Sequence, residues 1–208
     1  MINILQIIYK INDWRHKMTA KVISAKNIRY FLRGGAMFSD ITSVQMNGKC
    51  LISLGRKADI KIGENFILNS GKYCIDNLAC SKIASGDGAS FSVGDNSGFS
   101  NIVIQCLQEI RIGNFVNVGA GCMLMDSDFH SLDWRKRADR KIDSGNAKTA
   151  PILIGDYVFI GARSIVLKGV TIGERAIISA GSVVVSDIPP DCIAGGNPCK
   201  VIRFLNND

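Results

Sequence analysis

The stretch Ile154–Pro189, "IGDYVFIGARSIVLKGVTIGERAIISAGSVVVSDIP", decides the fold. Cut every six residues, it opens on Ile154, Ile160, Val166, Ile172, Ile178 and Val184, every one aliphatic. Upstream, "IGNFVN", "VGAGCM" and "LMDSDF" open on Ile112, Val118 and Leu124 with the same spacing. The fifth residues of the hexads from Ile154 (Val158, Ser164, Val170, Ala176, Ser182, Ile188) are small or apolar, and second positions often hold Gly. Chance matches are expected in an aliphatic-rich chain, but an unbroken run of this length is the mark of a repeat.

A period of six fits neither a helix nor a simple alternating strand. It fits short strands joined by tight turns, three hexads to a coil, with each aliphatic stacked beneath its counterpart. Gly, Asn and Asp are expected at the turns because they tolerate positive φ. Such a chain is mainly β: a left-handed parallel β-helix, stabilised coil upon coil. Earlier hexads such as "LGRKAD", "IGENFI" and "VGDNSG" are more ragged and carry the coils back to about Val44. The expected organisation is an N-terminal helical and basic segment over 1–43, a β-helix over 44–190 interrupted by a loop at about 126–151, and a closing segment over 191–208. Spacing of Ile4, Ile7, Ile8 and Ile11 marks one or two helices packed beside the first coils; a membrane-surface role for this basic stretch is the alternative.

The chain has 208 residues, enough for one domain with a real core. No run of apolar residues reaches membrane-spanning length, and the N-terminus makes a poor signal peptide. Seven scattered cysteines without CxxC spacing argue against a disulfide framework or zinc knuckle, so a cytoplasmic setting is expected, with the inner membrane face as the alternative. The formal charge is +7. No basic stripe with interleaved aromatics accompanies it, so nucleic acid is not expected as a partner.

The stretch Met123–Arg137, "MLMDSDFHSLDWRKR", breaks the rhythm and contains His130, one of two histidines. Loops of this length in compact domains are more often functional than idle.

The stretch "IGARSIVLKGVTIGERAIISAGSVVVSDIPPDCIAGGNPCKVIR", with "DSDFHSLD" before it, resembles the hexapeptide-repeat acyltransferases. The nearest pattern within them is that of the sugar and polysaccharide O-acetyltransferases. The resemblance implies acetyl-CoA as co-substrate, no metal, and a homotrimer with active sites between subunits. It makes His130 the general base, with Asp128, and less so Asp126, as carboxylates that orient it. Ala162 matches the position whose N–H faces the thioester carbonyl, and Ala180 a position whose main chain meets the pantetheine arm. Lys200 and Arg203 match basic positions at the nucleotide end. Asn101 falls near a family position whose asparagine contacts the acceptor. Phe159 stands where galactoside-type members have tryptophan, and Val185-Ser186 where they have Thr-Lys.

The expected reaction is acetyl transfer to a hydroxyl of a sugar or surface polysaccharide, as of capsule or O-antigen. Trp134, with Arg135, Lys136 and Arg137, reads either as a stacking and anion-attracting surface for an acidic acceptor or as a solvated loop. The rivals are an amino-sugar N-acetyltransferase and a non-catalytic scaffold of a glycan locus. A γ-carbonic-anhydrase-type zinc enzyme needs three histidine ligands, and His16 and His130 do not supply them.

Overall fold

The computed structural model describes residues 4–74 and 80–205, and the first helix's side chains at 13, 14, 18, 19 and from 21 onward. The hexads form a three-sided column of parallel sheets. The first face runs through Met37–Phe38, Asp59–Ile62, Ser90–Val93, Glu109–Ile112, Ile152–Ile154 and Thr171–Ile172. On the second are Gln45–Asn47, Ile67–Asn69, Gly98–Ser100, Asn117–Val118, Phe159–Ile160, Ile177–Ile178 and Cys192–Gly195. The third takes Leu51–Ser53, Lys82–Ser85, Val103–Cys106, Met123–Met125, Ile165–Leu167 and Val183–Val184.

The register explains the period. Ile112 pairs with Ile154 and Ile154 with Ile172. Val118, Ile160 and Ile178 stack on the second face, and Leu124, Val166 and Val184 on the third. All nine side chains are buried, as are the fifth-position residues Val158 to Ile188. Full burial of one such aliphatic contributes roughly 1.5–3 kcal/mol. Repetition of that gain offsets the ordering of many short strands.

The hexad glycines have a different cause from the one expected. Gly119, Gly155 and Gly161 do not have positive φ. A Cβ on Gly119 would instead lie 2.5 Å from the Ala162 nitrogen, and one on Gly161 2.5 Å from that of Ala180. Close approach of the next coil selects glycine there. Positive φ falls two residues later, on Phe115, Tyr157, Arg163 and Arg175 among others. Such a backbone costs on the order of 1–2 kcal/mol per non-glycine residue. Stacking between coils compensates: the rings of Phe115 and Tyr157 lie parallel at 4.8 Å, and Arg175 pairs with Asp191.

Helix α1 (Ile4–Arg33) lies against the first coil. Asn27 is buried and donates to the carbonyls of Met46 and Gly48 at 3.2 and 2.8 Å, Ser24 Oγ accepts from Met46 N–H, and Phe31 is fully buried. Two boundaries move. Strand pairing begins with Met37 opposite Lys61, inside the segment expected to precede the column. At the other end, Cys192–Gly195 continues the second face in parallel before Lys200–Phe204 folds back antiparallel on it.

Candidate active site

The segment 126–151 leaves the column between the third and first faces, and it is more ordered than its composition suggests. It contains helices α2 (Trp134–Ala138) and α3 (Arg140–Asp143). Asp133 and Asp139 cap them by accepting from the N–H groups of Arg135 and Lys141. Its base is pinned by Asp128 N–H to Lys148 C=O and Ala150 N–H to Asp126 C=O, both 3.0 Å.

The structure orients His130 with a residue that the sequence reading missed. His130 Nδ1 lies 2.6 Å from Asp143 Oδ2, and Asp143 Oδ1 accepts from Ser131 N–H at 2.8 Å. These two interactions hold the Asp143 carboxyl below the usual carboxylate range, the His130 hydrogen bond first and the Ser131 N–H second. An ionised carboxylate only accepts, so Nδ1 carries a proton, and in the neutral imidazole Nε2 keeps its lone pair. The preceding Phe129 takes a left-handed backbone, φ 60°, and the His130 side chain is 66% exposed. Arg137 donates to Ser131 C=O at 2.7 Å and ties α2 to the same turn.

Neither expected carboxylate reaches the imidazole. Asp126 is fully buried and accepts three backbone N–H bonds, from Leu107, Gln108 and Glu109, at 2.7, 2.7 and 2.9 Å. It shapes the column corner beneath the loop. Asp128 pairs with Lys168 at 3.3 Å and straps the loop base to the next coil. Asn101 is buried, and its side-chain oxygen accepts from Gly71 N–H at 2.8 Å. That is a turn anchor, with little of the amide left for an acceptor. Trp134 projects from α2, 66% exposed, with the Arg135 guanidinium 5.2 Å from its ring centre.

The expected cofactor positions form a line. Ala162 and Ala180 occupy successive turns between the second and third faces, joined by Gly181 N–H to Ala162 C=O at 2.9 Å; Ala120 sits one coil below, accepting from Arg163 N–H. This column of small residues leaves a smooth edge, with Phe159 half-exposed beside it. Lys200 and Arg203 are both exposed on the closing strand, opposite Gly195 and Ile193 of the second face. Within one chain the small-residue edge and the His130 loop flank opposite sides of the third face.

Cys106 and Cys122 are buried, with burial pushing their thiols up to about 12 and about 11. A thiol so placed is a core residue and no nucleophile at neutral pH.

The family model described as bacterial transferase hexapeptide (six repeats) matches residues 151–186. A protein of Staphylococcus aureus strain COL, provisionally named an acetyltransferase, is 37% identical over 118 residues, covering 48% of this chain and 57% of its own. One of Schizosaccharomyces pombe, named in the same way, is 41% identical over 121 residues, covering 58% and 53%. The chain thus spans little more than half the length of these curated relatives. Among solved structures, the hexapeptide-repeat-containing acetyltransferase of Vibrio cholerae superposes with a TM-score of 0.52 at 29% identity, over 74% of each chain. A galactoside acetyltransferase in complex with coenzyme A gives 0.52 at 28%, over 69% of this chain and 67% of that one. The repeating rungs, their register and these likenesses together make the chain similar to the hexapeptide-repeat transferases, whose family model matches its residues 151–186.

Proposed function

We propose that the protein moves an acetyl group from acetyl-CoA to a hydroxyl of a sugar or surface polysaccharide, with His130 as general base. The observation that carries this reading is the contact of His130 Nδ1 with Asp143, which leaves Nε2 exposed and able to accept a proton. The coenzyme A complex of the galactoside acetyltransferase supports the choice of donor.

A sugar hydroxyl is a poor nucleophile until its proton has somewhere to go. Nε2 takes that proton as the oxygen attacks the thioester carbonyl carbon. Asp143 stabilises the imidazolium that forms, as a carboxylate does in a triad. The tetrahedral oxyanion needs a donor held without reorganisation, and the Ala162 N–H, fixed in a column turn, is suited to that role. Collapse breaks the carbon–sulfur bond, and the departing thiolate recovers the proton from His130. The pantetheine arm runs past Ala180 towards Lys200 and Arg203, where cations meet phosphate oxygens.

Because the small-residue edge and the His130 loop flank opposite sides of one face, the reading includes a homotrimer in which one subunit's loop meets its neighbour's edge. The test is thiol release from acetyl-CoA, screened over neutral and acidic sugars, amino sugars and polysaccharides. His130→Ala is expected to lower turnover by roughly 10²–10⁴-fold while thermal stability is retained. Undiminished turnover in that variant would sink the assignment, and preferential use of amino sugars would move the reaction to nitrogen.

A further inference from the structure

Helix α1 carries apolar side chains on two faces, and only one of them is packed. Ser24, Asn27 and Phe31 meet the first coil. Away from those contacts Trp14, Met18, Val22 and Leu32 are 62, 43, 64 and 49% exposed, and Trp14 and Met18 border an open groove that runs between the helix and Thr42, Val44, Gln45 and Asn47 of the first coil. At about 100° per residue these four fall within an arc of roughly 80°. Exposed Lys21 borders that arc on one side, exposed Lys26 and Arg33 on the other, and Arg29 lies within it. The first 33 residues hold seven Lys and Arg against Asp13 alone, so this segment supplies six of the chain's seven net positive charges.

We propose that this face of α1 docks the column onto the surface of an anionic phospholipid bilayer. An apolar stripe with an aromatic, flanked by cations, matches the boundary between acyl chains and headgroups. The cations add attraction to a negatively charged leaflet, while Trp14 and its neighbours insert beneath the headgroups. A second copy of the same face is a poor occupant, since it would bring cations against cations with one acid per chain to relieve them. Among the described residues no helix is long and apolar enough to cross a membrane, so the attachment is one of lying on the surface.

The experiment is co-sedimentation of the full chain with vesicles of phosphatidylcholine alone and of phosphatidylcholine with phosphatidylglycerol. Binding to the mixed vesicles only, weakened by salt, is the expected result. Lys21→Gln/Lys26→Gln/Arg29→Gln should reduce that partitioning about a hundredfold, at roughly fivefold per cation. Trp14→Ser/Val22→Ser should reduce it independently. Circular dichroism serves as the check that both variants keep the fold. No binding to anionic vesicles overturns the proposal, as does binding that these substitutions leave unchanged. A change of oligomeric state in the substituted proteins without any vesicle binding also overturns it and makes the face a contact between copies.

Discussion

At the level of single residues, the decisive contact is between His130 and Asp143. Substituting Asp143 by Ala removes the acceptor that sets the tautomer, and turnover should fall on the order of a hundredfold or more, with the affinity for acetyl-CoA little changed. Steady-state kinetics on both substrates separates that outcome from a folding defect. The pH dependence has a definite sign. The Asp143 pKa is depressed in the fold, so its contribution to holding the loop is complete above the ordinary aspartate value of about 3.9 and is lost as pH falls through the lower folded value. His130→Ala removes the largest cause of that depression, so acid release of the loop should move up towards the ordinary range, as proteolytic nicking followed against pH would register. Thiol reagents give a further check: Cys106 and Cys122 should stay unlabelled at neutral pH until the column unfolds, because their thiols are buried and raised to about 12 and about 11.

His130 stands out as a candidate in the sequence because it lies within a broken rhythm. Asp143 does not: it lies thirteen positions further on, in a stretch without periodicity. Its approach depends on α2 and α3 folding the segment back, and two short capped helices leave little trace in residue spacing. Asp133 and Asp139 as alternating caps were the available signal. Asp126 and Asp128 were nearer in sequence, but proximity along a chain that turns sharply says little about direction.

Among elements, the loop depends on the corner beneath it. Asp126 gathers three N–H groups from the coil below. Asp126→Ala strands those donors and should cost about 2–4 kcal/mol, measurable by urea denaturation, with Asp126→Asn recovering part. The rungs themselves were almost wholly readable, since inward stacking repeats from Ile112 to Leu124 and again from Ile154 to Val184. Turn chemistry was harder to read. Phe115, Tyr157 and Arg175 take a backbone region that residue preference would assign to Asn or Gly, because neighbouring coils supply stacked partners that no single hexad reveals.

For the whole molecule, the proposed function requires a site completed between copies. Mixing His130→Ala subunits with subunits blocked at the small-residue edge by Ala162→Trp should restore activity that neither variant has alone, once the subunits have been allowed to exchange. Restoration would fail if each chain held a complete site. Sedimentation of the unmixed protein supplies the companion measurement of assembly.

The reversed strand Lys200–Phe204 has a consequence of a different kind. Parallel ladders end in unpaired backbone groups able to recruit another chain's strand, and a stack of rungs could in principle lengthen without limit. Turning the final strand antiparallel occupies one such rim of the second face, and α1 lies over the rim at the other end. Growth by parallel stacking of one column on another, as in a fibril, is thereby discouraged at both ends of the second face.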